Sequence, residues 1–210
     1  MLDGVGKSMS PRIVKADLNG AAIAGRLVRS GGLVVFPTDT VYGLGCDPRN
    51  SDAVSRLFQA KRREPKPIPI LCDGFETAAS LVVLDGAAKK LAEANWPGAL
   101  TIVAPVRVEL PYPVHQGTGM VGVRVPAHAV CLDLIRICGG SITGTSANLS
   151  GRPACRSAEE AISELGEEVD LVLDGGYLTG RESTVVRFGE KGIEVLREGA
   201  VRVTDEVEHK

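Results

Sequence analysis

The stretch Gly31, Gly32, Leu33, Val34, Val35, Phe36, Pro37, Thr38, Asp39, Thr40, Val41, Tyr42, Gly43, Leu44, Gly45 constrains the fold more than any other part of the chain. Four apolar residues after a glycine pair predict a strand covered on both faces. Pro37 ends its ladder, having no N–H to donate. Hydroxyls, a carboxylate, a phenol and two glycines then form a loop at a strand end, where α/β proteins place ligands. Alone, the loop fits equally well an ordinary turn whose hydroxyls satisfy nearby backbone groups.

Helical and extended patterns alternate around it. Residues 13–14 read as a short strand, and 21–29 as a helix ended by Gly31 and Gly32. Residues 51–62 predict a helix with Val54, Leu57 and Phe58 on one face and Asp52 near its N-terminus. A strand at 68–71, helices at 75–83 and 86–95, a turn at 96–98 and a strand at 99–104 follow. Residues 121–125 form a strand ending at Pro126, 130–138 a helix covered on several sides, 141–145 a short strand and 158–165 a helix. Strands at 170–173, 183–188 and 193–197 close the chain. Alternation followed by accumulated strands predicts a single α/β domain with a mixed sheet and flanking helices. Its expected limits are 11–203, between a leader at 1–10 and a charged tail at 204–210.

Composition narrows the functional classes. At 210 residues the chain suits one domain able to bury a core without staples. With 4% aromatic residues, that core must come from Val, Ile, Leu and Ala. A net charge of −2 argues against non-specific coating of nucleic acid while permitting a local basic pocket. Five cysteines, odd in number and without a C-x-x-C pair, fit a reducing compartment and small core positions. His115, His128 and His209 lack metal-ligand spacing. No apolar run reaches 18 residues and no signal-like segment opens the chain, so a cytoplasmic protein is expected, with no membrane partner. Gly6, Lys7 and Ser8 imitate the end of a P-loop, but Met1 stands where its first glycine is required.

Three further segments carry chemistry. Lys61, Arg62, Arg63 and Lys66 place four cations within six positions at a predicted helix end, leading back into a strand through Pro67 and Pro69. Such cations can oppose the helix dipole in solvent, or hold phosphate and carboxylate at a mouth between elements. Thr143, Gly144, Thr145, Ser146, Asn148, Ser150 and Gly151 gather hydroxyls, an amide and glycines in one loop, suited to cradling phosphate or to a self-satisfied turn. Ser146 lies in no G-x-S-x-G elbow and has no base beside it, which argues against a serine hydrolase. Arg124, inside an apolar strand, needs an anion: a ligand, or a protein carboxylate such as Asp133 or Asp174.

Together these segments resemble the YrdC-like family, the threonylcarbamoyl-AMP synthases, over roughly residues 13–201. The resemblance is carried by the loop from Pro37 to Gly45, the Lys-x-Arg of Lys61 and Arg63, and Trp96-Pro97-Gly98-Ala99-Leu100-Thr101. It continues through Val121 to Pro126, Thr145 to Gly151, Ser183-Thr184-Val185 and Leu196-Arg197-Glu198-Gly199. It implies a twisted α/β fold with a large concave basic cavity. It also implies a nucleotidyltransferase reaction: L-threonine, bicarbonate and ATP, with magnesium, give threonylcarbamoyl-adenylate and pyrophosphate. That product would serve threonylcarbamoyladenosine modification of tRNA position 37, with transient contact to tRNA or to the downstream transferase. By the family pattern Lys61, Arg63, Ser146 and Asn148 are catalytic, and Thr38, Arg124, Gly144 and Ser183 hold threonine. Lys61, Ser146 and Arg197 would hold the nucleotide, and no protein side chain is expected to ligate the metal.

Two features depart from the pattern. Glu64 stands where many members have proline, and the run to Lys66 and Pro67 is one residue short. Longer relatives carry a second C-terminal domain; with Arg197 about a dozen residues from the end, the single-domain form is expected. Two other classes remain: an RNA-binding module, which would lack an aromatic stacking platform here, and a carbamoyl-transfer domain of the same fold.

Overall fold

The computed structural model describes residues 11–62, 64, 66–189 and 192–203. The expected leader and tail lie outside the described residues. Strand β1 (Arg12–Lys15) leads into helix α1 (Leu18–Arg29), started by Asp17, whose carboxylate accepts from the Gly20 N–H at 2.9 Å. β2 (Val34–Phe36), β3 (Gly43–Gly45) and α2 (Ser51–Ala60) follow, the helix capped by Asn50. Next come β4 (Ile70–Cys72), α3 (Phe75–Leu81), α4 (Gly86–Asn95) and β5 (Leu100–Pro105). A short α5 (Tyr112–His115), which the sequence pattern did not predict, precedes β6 (Met120–Arg124) and α6 (Ala129–Ile137). The chain continues through β7 (Ser141–Thr143), β8 (Thr145–Ser146), α7 (Ala158–Leu165), β9 (Leu171–Asp174), β10 (Thr184–Gly189) and β11 (Gly192–Arg197).

The architecture is the expected mixed α/β type with flanking helices, its strands shared between two mixed sheets. One has the order β1-β9-β2-β3-β8 and the other β11-β10-β5-β6-β4-β7. Helices α1 and α6 pack together over one cluster containing Val28, Phe36, Leu134 and Leu173. A larger cluster joins both sheets to α2, α3 and α7 through residues such as Tyr42, Leu57, Ile70 and Val123. Among the described residues no helix is long and apolar enough to cross a membrane.

Two local differences from the sequence reading shape the site. The loop expected after Phe36 contains β3, antiparallel to β2 with Phe36 opposite Gly43. Its glycines read as loop punctuation but mark close approach: a Cβ on Gly45 would lie 2.9 Å from the Phe36 ring and collide with the Thr143 carbonyl. The strand expected at 141–145 is two strands, β7 in one sheet and β8 in the other. Gly144 is the step between them, and a Cβ there would press into the Leu71 side chain. The crossing opens a space between the sheets, and the polar residues face it.

Candidate active site

Two adjoining cavities occupy that space, of about 220 Å³ and about 410 Å³. Thr145 and Ser146 of β8 line both and form their common wall. Thr38, Arg124, Gly144, Ser183 and Arg197 line the smaller; Lys61, Arg62, Lys66, Asn148 and Ser150 line the larger. Arg63 lies outside the described residues.

Arg124 ends β6 with its guanidinium in the smaller cavity. Alternation sends Val123 into the core, so Arg124 takes the opposite face. Its carboxylate partner is neither Asp133, which pairs with Arg136, nor Asp174, which accepts from the Gly176 N–H. It is Asp39, 2.6 Å from Nη2. Nε donates to the Gly98 carbonyl at 2.9 Å and Nη1 to Thr40 Oγ1 at 3.1 Å. Three of the five guanidinium N–H donors are thereby used, leaving one on each terminal nitrogen.

The hydroxyls beyond Arg124 form a chain of fixed direction. Thr38 Oγ1 donates to the Val41 carbonyl at 2.7 Å and accepts from the Thr40 N–H at 3.1 Å. Its proton being spent, the 2.9 Å contact between the Thr38 and Thr40 hydroxyls must run from Thr40 to Thr38. The order is Arg124 to Thr40 to Thr38 to Val41, and aligned donors of this kind polarise one another. Thr38 thus anchors the arginine's support within its own loop, as well as lining the cavity.

Across the cavity, Ser183 Oγ accepts from Arg197 Nη2 at 3.0 Å and lies 2.9 Å from Thr101 Oγ1. Whichever of the two hydroxyls donates to the other, one proton remains for a ligand acceptor. Arg197 also grips the Ser183 carbonyl and pairs with Glu182 at 3.0 Å. The residue expected at the nucleotide therefore stands in the same cavity as the threonine set. Asp39, Thr40, Thr101 and Glu182 were not singled out as site residues; Asp39, Thr40 and Thr101 lie within the quoted motifs, where their position was the available signal.

Lys61 caps the end of α2 and is 2% exposed. Its ammonium donates to the backbone carbonyls of Ser146 and Asn148, and its own carbonyl accepts from the Ser150 N–H. The solvated-cap reading fails for this residue, whereas Arg62, Glu64 and Lys66 are exposed at the cavity edge. Tyr42 also lines the smaller cavity; its hydroxyl accepts from the Gly175 N–H and donates to the Gly176 carbonyl, and burial raises its pKa. Burial also lowers the pKa of His128, whose ring caps α6 by accepting from the Cys131 N–H; the charge of Asp39 opposes that shift. Among the described residues no group of three or more His, Cys, Asp or Glu side chains is placed to hold a metal.

A family model described as Telomere recombination, that of Sua5, YciO and YrdC, matches residues 26–199. The threonylcarbamoyl-AMP synthase of Pyrococcus abyssi is 38% identical over 182 residues, covering 85% of this chain and 54% of that protein. The threonylcarbamoyl-AMP synthase of Halorhodospira halophila is 37% identical over 172 residues, covering 81% of this chain and 90% of that protein. The crystal structure of P. abyssi Sua5 complexed with L-threonine superposes with a TM-score of 0.84 at 36% identity, over 90% of this chain and 56% of that one. The chain thus spans about half the length of the Pyrococcus relative and most of the Halorhodospira one.

Proposed function

The chain belongs to the Sua5, YciO and YrdC family, and we propose that it is a threonylcarbamoyl-AMP synthase, making its product and pyrophosphate from L-threonine, bicarbonate and ATP. The product would feed threonylcarbamoyl modification of tRNA position 37 in the cytoplasm, through transient contact with tRNA or the transferase that accepts the adenylate. The observation that carries the reading is the pair of cavities with one shared wall. The smaller offers an arginine fork and hydroxyls to an amino acid, and the larger offers cations and hydroxyls to a polyphosphate.

The chemistry asks the protein to bring two anions together. Threonine's amine loses a proton and adds to carbon dioxide, or to bicarbonate with loss of water. The carbamate oxygen then attacks the α-phosphate, breaking its bond to the β-phosphate oxygen and releasing pyrophosphate. Arg124 holds the threonine carboxylate through its two remaining N–H groups, in a direction fixed by Asp39, Thr40 and Gly98. The spare proton of the Thr101 and Ser183 pair meets a second substrate oxygen. Arg197 reaches from the same side toward the developing phosphate charge, and Ser146 in the shared wall positions carbamate and phosphate in line. Lys61 acts from the larger cavity's side of the wall, holding the Ser146 and Asn148 backbone and adding positive charge in a dry setting. Arg63 would add to that charge. The oxygen-rich larger cavity suits a hard cation arriving on the nucleotide, and magnesium there would neutralise phosphate charge.

Calorimetric titration with L-threonine tests the smaller cavity. Wild-type protein should bind, and Arg124→Lys, which keeps charge but loses the fork, should weaken binding about tenfold or more. Equal binding by both proteins would remove Arg124 from the threonine site.

A further inference from the structure

Asn148 uses the two ends of its amide unequally. Nδ2 donates to the Leu149 carbonyl at 2.9 Å and to the Arg152 carbonyl at 2.7 Å, which spends both hydrogens. Oδ1 is buried with no hydrogen-bond partner, in a residue only 6% exposed. Exchanging the amide oxygen and nitrogen gives no relief, because the oxygen would then face two carbonyl oxygens. The orientation is fixed by the backbone, and it leaves a buried, unpaired acceptor in a residue that lines the larger cavity.

Chemistry restricts what can meet that oxygen. A carboxamide oxygen accepts and cannot donate, so it repels phosphate and carbamate oxygens. Asn148 therefore cannot clamp a phosphate as Ser146 can. Lys61 does not fill the gap, since its ammonium goes to the backbone carbonyls of Ser146 and Asn148. The surrounding Lys61, Arg62, Lys66, Ser146 and Ser150 suit a polyphosphate; Glu64 adds an exposed carboxylate at the edge, and the component of such a ligand that seeks a buried neutral oxygen is its metal ion.

Resting on the reading that this cavity receives ATP, we propose that Asn148 Oδ1 is a direct oxygen ligand of the magnesium ion carried by the nucleotide. Magnesium in nucleotide sites keeps phosphate and water oxygens at most of its positions and takes one or two from protein. A single amide oxygen meets that need without an acid cluster, and among the described residues there is none. The inference departs from the sequence expectation that no side chain ligates the metal.

The test uses wild-type protein grown with [4-¹³C]asparagine, Mn²⁺ in place of magnesium, and α,β-methylene-ATP. Of the four asparagines, Asn19, Asn50, Asn95 and Asn148, Asn148 alone lines either cavity, so a carboxamide signal reports it. Electron–nuclear double resonance should show ¹³C coupling to the bound Mn²⁺, absent in Asn148→Ala. The apparent Mn²⁺ dissociation constant in the nucleotide complex should rise about tenfold or more in that variant. Nucleotide-bound Mn²⁺ without ¹³C coupling in the wild type overturns this inference and leaves the synthase reading standing. Failure of the wild type to bind the nucleotide, measured separately by calorimetry, overturns that reading and this inference with it.

Discussion

Arg124 Nη2 lies 2.6 Å from Asp39 Oδ1, with the two side chains 6% and 14% exposed. The pair joins the end of β6 to the loop after β2, so elements of the two sheets meet at one charge-assisted contact. Asp39 both offsets the burial of the guanidinium and sets which of its N–H groups remain for substrate.

Removing Asp39 leaves a buried cation short of its partner. Asp39→Ala should cost about 3 kcal/mol in urea unfolding, the low end for breaking a buried pair, because cavity water reaches this one. Asp39→Asn keeps the shape and should lose less stability while still weakening threonine binding. Unchanged stability and unchanged threonine affinity in both variants would contradict the role given to the pair.

Thr38→Val tests the hydroxyl chain. The substitution removes a donor to Val41 O and an acceptor for Thr40, so unliganded protein should lose about 1–3 kcal/mol by denaturant titration. Threonine affinity should fall as well, since Arg124 loses indirect support. Loss of affinity with full native stability would mean that Thr38 acts on substrate alone.

Much of this was legible in the sequence because periodicity and punctuation are local. The strand into Pro37, the helices at 86–95 and 158–165, and the hydroxyl-rich loop all follow from neighbours in the chain. The pairings were not legible. Asp39 and Arg124 are 85 residues apart and meet where the two sheets face each other; Thr101 and Ser183 are 82 apart and meet because β10 pairs with β5. Likewise the cation run reads as a solvated helix end until the cap turn is known to aim Lys61 at carbonyls in and just after β8.

Lys61→Met keeps the apolar stem and deletes the ammonium. Its bonds to two carbonyls predict a loss of about 1.5–3 kcal/mol, and faster amide exchange in the segment from Thr145 to Gly151. Turnover should fall together with that protection. Native exchange rates with low turnover would instead assign Lys61 to the reacting groups alone.

The cysteines give a pH signature. Burial pushes the thiols of Cys46, Cys72 and Cys138 up to about 12 and that of Cys155 to about 11, and it raises Cys131 as well. Below the ordinary value near 9 both folded and unfolded thiols are protonated; above it the unfolded chain releases protons that the folded one keeps. Stability should therefore decline between about pH 9 and pH 12. The buried Cys46, Cys72, Cys131 and Cys155 of native protein at about pH 8 should resist iodoacetamide until urea unfolds it, with only the half-buried Cys138 open to reaction. Rapid alkylation of more than one native thiol would contradict the burial of those four.

The most direct measurement is pyrophosphate release from ATP with magnesium and bicarbonate, with and without L-threonine, the nucleotide product followed by phosphorus NMR. The account predicts release that requires both threonine and bicarbonate, in step with a new adenylate resonance, and lost in Arg124→Lys at limiting threonine. Release that ignores threonine, or none with all substrates present, would contradict it.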